Sequence, residues 1–155
     1  MGQSLPHFLD VKDDKFSDPA VRILAVLGDA LSRKYSLEIT NQRAVVTNTT
    51  KLRDLVAEAP GADLVLNVRT SAWGFAPTRL DHYGLTYDGT LTLIDARSSA
   101  VVAEGVCSFR TADSDDAPTY AELCADNGAI VRDRLVGVTD NCLDDYKGRV
   151  LGIYP

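Results

Sequence analysis

Cys107, Cys124, Cys142, His7 and His82 carry the widest chemical repertoire in this chain, and their spacing excludes the commonest uses of such residues. No Cys-x-x-Cys is present, so dithiol exchange and a zinc knuckle both lack their minimum ligand spacing. No Gly-x-Ser-x-Gly elbow and no phosphate loop occur. A hydrolase triad needs an oriented imidazole. His7 sits in a terminus expected to be loose over residues 1–7, and His82 begins a strand with Asp81 beside it, pointing to the opposite face. Asp113, Asp115 and Asp116 suggest a calcium loop, but the glycine and distal acid of an EF-hand are out of register, so the segment reads as solvated. No catalytic residue, metal or cofactor is expected. The remaining chemistry is a bridge between two thiols.

The elements that would hold such a bridge are a hairpin and a helix. From Tyr83 to Leu93 the odd positions read Tyr83, Leu85, Tyr87, Gly89, Leu91 and Leu93, against Thr86, Asp88, Thr90 and Thr92. That period of two gives one buried and one wet face. Its partner sets Val101, Ala103, Gly105, Cys107 and Phe109 inward, and a short loop through Ala96, Arg97 and Ser98 would pair Leu93 with Val101 and Tyr87 with Cys107. Thr119 and Glu122 form a capping-box signature after Pro118. A long terminal helix is predicted from there, with Tyr120, Leu123, Cys124, Val131, Leu135, Val138, Cys142, Tyr146 and Val150 on one stripe and a bend at Gly137. On one straight helix Cys124 and Cys142 would lie about 27 Å apart, whereas bridged Cα atoms lie within about 7 Å. Three arrangements stay open: Cys107 with Cys142, Cys107 with Cys124, or three buried thiols in a reducing compartment.

Upstream, Phe8 to Val11 reads as a first strand, and Asp18-Pro19 starts a helix whose apolar face is Ile23, Leu24, Leu27, Leu31 and Tyr35. Leu37 to Ile39, continuing toward Val46, reads as a second strand. Lys51 to Ala59 reads as a short helix, with Asn48-Thr49-Thr50 as its cap, and Leu64 to Val68 as a central strand covered on both faces. The fold class is mixed α/β, a single domain over residues 1–155 in the order βαβαβββα, with a mixed sheet whose C-terminal meander is antiparallel and covered by helices.

A chain of 155 residues with 45% apolar residues can build its own core, and no apolar run is long enough to span a bilayer. The net charge of −6 with scattered Lys and Arg lacks the footprint of a nucleic-acid binder. Trp73 and Phe75, in Ser71-Ala72-Trp73-Gly74-Phe75-Ala76-Pro77, read as a fixed loop with Arg79, His82 and Tyr83 nearby, a candidate binding surface.

Gly61-Ala62-Asp63-Leu64-Val65-Leu66-Asn67-Val68-Arg69, Trp73-Gly74-Phe75, Leu91-Thr92-Leu93-Ile94-Asp95, Ala103-Glu104-Gly105-Val106-Cys107 and Ala117-Pro118-Thr119-Tyr120-Ala121-Glu122-Leu123 occur in this order, followed by Asp126-Asn127-Gly128 and Cys142. Together they resemble small uncharacterised lipoproteins of the Gram-negative cell envelope. The resemblance implies a Cys107 to Cys142 disulfide, Cys124 as a buried free thiol, and a periplasmic or envelope location. Met1-Gly2-Gln3-Ser4-Leu5 shows neither an export signal nor a lipid-site cysteine, so membrane attachment is expected only through a lipid anchor that this chain does not carry. The expected function is non-catalytic binding or assembly with an envelope protein or glycan. The alternative is a small-molecule binder or hydrolase with a cleft near His82 and Arg79.

Overall fold

The computed structural model describes residues 16–40, 47–111 and 116–154. Helix α1 (Pro19–Tyr35) starts where the sequence signals it, with the Asp18 carboxylate accepting the Ala20 N–H at 2.9 Å. Ile23, Leu27 and Leu31 recur every fourth position and are buried. Ser36, left-handed at φ 53°, ends the helix. The expected strand at Leu37–Ile39 does not form. The Leu37 N–H donates to the Ser32 carbonyl and its carbonyl accepts from the Ser32 hydroxyl, so the helix end consumes the backbone groups a ladder would need. The expected strand at Phe8–Val11 and the continuation to Val46 lie outside the described residues. Helix α2 (Leu52–Ala57) forms as expected, with Leu55 buried.

Among the described residues three strands follow: β1 (Leu64–Arg79), β2 (His82–Asp95) and β3 (Ala100–Arg110), all antiparallel and in sheet order β1-β2-β3. The central strand is therefore β2, and the Leu64–Val68 run is the first part of an edge strand. It reads as a nearly continuous apolar run because α1 and α2 both pack on β1. Leu66 and Val68 belong to the margin of the main core, while Ile94, alternating with core-facing Leu93, is fully buried on the other side of the sheet.

Leu93 pairs with Ala103, Leu91 with Gly105 and Tyr87 with Phe109, two residues away from the expected register. The difference is even, so Ala103, Gly105, Cys107 and Phe109 keep their expected face, whereas Val101, expected inward, lies beyond the bulge opposite Ile94 and is exposed. A bulge at Val102 absorbs the remaining offset, and Ile94 pairs with Val101.

The terminal helix is broken. Helix α3 (Tyr120–Cys124) carries the full Thr119/Glu122 capping box, then a 3-10 turn (Ala125–Asn127) leads to helix α4 (Ala129–Asp145) and a final π-helical turn (Tyr146–Val150). The break lies at Asp126, Asn127 and Gly128, with φ of 50°, 54° and 76°, and α4 runs unbroken past Gly137. Asp, Asn and Gly are the residue types that tolerate the left-handed region. At Gly128 a side chain would also meet the Phe16 ring, 2.7 Å from an added Cβ. Past the break the expected stripe holds: Val131, Leu135, Val138, Cys142 and Tyr146 are buried against Leu85, Tyr87, Leu91 and Cys107 in one core cluster. Before the break it fails beyond Leu123, since Tyr120 and Cys124 are exposed.

Candidate functional site

The bridge joins the two layers of the core. Cys107 on β3 and Cys142 on α4 form a disulfide with Cα atoms 5.6 Å apart, and both residues are buried. Cys124 is free and exposed, which corrects the expectation of a buried thiol, because the left-handed break turns α3 away from the stripe. A polar cluster that the sequence reading did not single out joins α1 to the sheet. Thr70 on β1 donates its hydroxyl hydrogen to the Asp18 carboxylate, so the Tyr87 hydroxyl, 3.1 Å away, is the donor to Thr70. One chain of hydrogen bonds thus ties the α1 cap to β1 and β2. The Tyr146 hydroxyl points toward the Cys107 backbone but has no partner of acceptable geometry among the described residues.

Burial raises the Tyr146 phenol above its ordinary value, with Tyr87 and Asp145 adding to the rise and the Cys107 backbone opposing it. Burial likewise raises Tyr87, the Thr70 hydrogen bond opposing it. Both groups keep their protons longer when folded than when unfolded. The stability this confers is fully present below the unfolded value, about pH 10, and is lost as pH rises beyond it. A series of urea melts should therefore show the midpoint falling above about pH 10, with a shallower fall in Tyr146→Phe. An unchanged slope in that variant would assign the alkaline transition to other groups.

The five candidate surface residues sit on the β1–β2 hairpin. Trp73 and Phe75 lie within β1 rather than in a loop, opposite Tyr87 and Leu85. A register shift at Ser71 places Trp73, Phe75 and Pro77 in alternation, and Pro77 is tolerated because β1 is an edge strand. Trp73 is half-buried and meets Phe16 edge-on at 6.3 Å between ring centroids. Phe75 and Tyr83 converge with Leu85, Pro118 and Arg134 around a pocket of about 20 Å³, room for one water and far below the roughly 300 Å³ of a small-ligand site. Pro118 and Arg134 were not among the expected residues.

Arg79 and His82 face each other in the ladder across a two-residue turn. In that turn Leu80 is 88% exposed and adopts φ 39°, a region costly for a branched side chain. His82 is half-buried and its Nδ1 meets the Ala117 carbonyl, which can only accept, so Nδ1 carries the proton. The Tyr83 N–H donates to the Pro118 carbonyl at 2.9 Å. His82 and Tyr83 thereby fasten the segment leading into α3 to the hairpin. The capping hydrogen bonds from Thr119 hold the Glu122 carboxyl below the ordinary carboxylate range. The structure thus brings Phe75 and Tyr83 together, puts Trp73 two residues along the same strand, and leaves Arg79 and Leu80 outermost at the tip. No group of three or more His, Cys, Asp or Glu that could hold a metal is found among the described residues.

No protein-family model matches the chain, and no curated protein matches it. Among solved structures, the chain is similar to the lipoprotein GNA1162 from Neisseria meningitidis, at 18% identity over 78% of this chain and 72% of that one, with a TM-score of 0.34. It is also similar to a "putative lipoprotein" from Caulobacter crescentus CB15, at 21% identity over 66% of this chain and 79% of that one, again with a TM-score of 0.34. Both are from Gram-negative bacteria, the source of the lipoproteins that the sequence resembles.

Proposed function

We propose that this chain is an exported, non-catalytic protein of the cell envelope that binds a protein partner through the tip of the β1–β2 hairpin. The observation that carries the export reading is the buried Cys107–Cys142 bridge, because such bonds form and persist in oxidising compartments. Attachment to the membrane, in this reading, runs through a lipid anchor. Among the described residues no helix is long and apolar enough to cross a membrane.

The binding reading rests on the tip. Leu80 is almost fully exposed at a backbone angle that glycine would adopt more cheaply, and Arg79 beside it is exposed too. Phe75 and Tyr83 behind the tip support the hairpin by packing on the core margin. A hydrolase or small-molecule site at Arg79 and His82 is less well supported, since Nδ1 of His82 is engaged and the neighbouring pocket holds one water.

The test is a photo-crosslinking amino acid placed at Leu80 in the protein expressed in cells. A discrete crosslinked species in the envelope fraction is expected, reduced at least tenfold by Arg79→Glu. Trp73 and Phe75 are poor positions for this test because both pack against the core. A protein recovered reduced from the cytosol would refute export. Crosslinking that ignores Arg79→Glu, or is absent from the envelope, would refute the docking surface.

A further inference from the structure

The sheet ends in two edges, and they are not alike. Strand β1 carries Pro77 and two register shifts, devices that discourage another strand from pairing with it. Strand β3 is paired with β2 on one side, and among the described residues no strand pairs with its other side. Its one bulge is at Val102, so Ala103 to Arg110 forms a regular ladder without proline or lysine. On the face turned from the core, Val102 and Val106 are each 57% exposed, and Glu104, Ser108 and Arg110 alternate with them. A regular edge with exposed valines is a ready template for strand addition.

The side chains select the occupant. Suppose a second copy pairs antiparallel about a twofold axis. An axis at Glu104 sets like charges opposite each other, and axes at Gly105 or Val106 carry the overlap into the Val102 bulge. An axis at Cys107 keeps the overlap within Glu104–Arg110. It sets Glu104 opposite Arg110 of the other copy twice, and Val106 opposite Ser108. Arg110 already holds Asp88 of its own sheet at 2.9 Å with its side chain 52% exposed, so the guanidinium is fixed and outward-facing when a second carboxylate arrives. The disulfide fixes the middle of the edge, because Cys107 is the residue bonded to α4.

We infer that β3 is a homodimerisation edge, joining two copies antiparallel about Cys107 into one continuous six-stranded sheet. The interface is isologous, so each charge pair occurs twice and a change at one residue is felt twice. This edge is separate from the hairpin tip, and its failure would leave the proposed docking surface standing.

Sedimentation equilibrium of the oxidised protein tests it, in a Cys124→Ser background that removes thiol-linked dimers. A concentration-dependent dimer is expected. Glu104→Arg should weaken association at least tenfold by setting arginine against arginine. Adding Arg110→Glu should restore it to within about threefold of the parent, the charges having exchanged places. Circular dichroism establishes whether the doubly substituted protein is folded. If it is folded and remains monomeric, the proposed register is wrong and the inference falls. If it does not fold, Val106→Lys decides: a weakening of at least tenfold supports the edge, and an unchanged dimer overturns it. A parent protein that stays monomeric throughout also overturns it.

Discussion

Removing the Cys107–Cys142 bridge is expected to cost about 4 kcal/mol of stability and to lower Tm by about 10 °C. The bond joins positions 35 apart in sequence. Opening it returns to the unfolded chain the freedom of a loop that long, which the chain-entropy relation puts near 4 kcal/mol. The loss is not offset elsewhere, since both sulfurs lie in the main core where β3 meets α4. The break at Gly128 adds to the dependence, because α4 is not continued into α3 and is held to the sheet by its own stripe and this bond. Urea melts of Cys107→Ala/Cys142→Ala against the parent would check the magnitude. Cys124→Ser should change stability by less than about 0.5 kcal/mol, the usual range for an exposed position away from such features. A double variant within 1 kcal/mol of the parent would mean that the bridge constrains little.

Gly105→Ala should destabilise the fold by about 2 to 3 kcal/mol, the range for a side chain forced into a packed layer. Gly105 faces the core side of β3, and an added Cβ would be driven into a Val150 methyl on the terminal π-helical turn. That turn cannot readily yield. Tyr146 at its start is fully buried, Leu151 after it is buried, and the Leu151 carbonyl accepts the Tyr35 hydroxyl at 3.1 Å. If the contact is the cause, Val150→Ala in the same chain should recover at least 1 kcal/mol of the loss, a coupling expected only between touching residues. Additive effects of the two changes would place the cost in the strand backbone.

Strand faces were easier to read from the sequence than strand partners. Period-two alternation in Tyr83–Leu93 and Val101–Phe109 states which side is buried, and the observed register keeps the faces from Ala103 to Phe109, while the bulge at Val102 turns Val101 out of the core. It does not state the offset, since a shift of two residues preserves the alternation. The reading of Leu37–Ile39 as a strand failed because three apolar residues do not reveal that a helix end will use the Leu37 backbone. Trp73-Gly74-Phe75-Ala76-Pro77 looked like a loop because Gly and Pro commonly interrupt strands. The alternating Trp, Phe and Pro were the signal for an edge strand. The terminal helix was expected to bend at Gly137, while the actual break uses three adjacent residues tolerant of left-handed geometry, Asp126, Asn127 and Gly128. That break separates Cys124 from Cys142 in exposure, which periodicity along one uninterrupted helix could not convey. Within the candidate site, Phe75 and Tyr83 were legible as aromatics near one another. Arg134 was not, because its place depends on how α4 crosses the sheet.

Peptide mapping of the protein recovered from its native cells, alkylated before lysis and digested without reduction, addresses the clasp and the compartment together. The expected result is one linked peptide pair containing Cys107 and Cys142, with Cys124 alkylated. Three alkylated cysteines would contradict both the layer-to-layer bond and the export it supports, whereas a linkage that includes Cys124 would contradict the layer-to-layer bond alone.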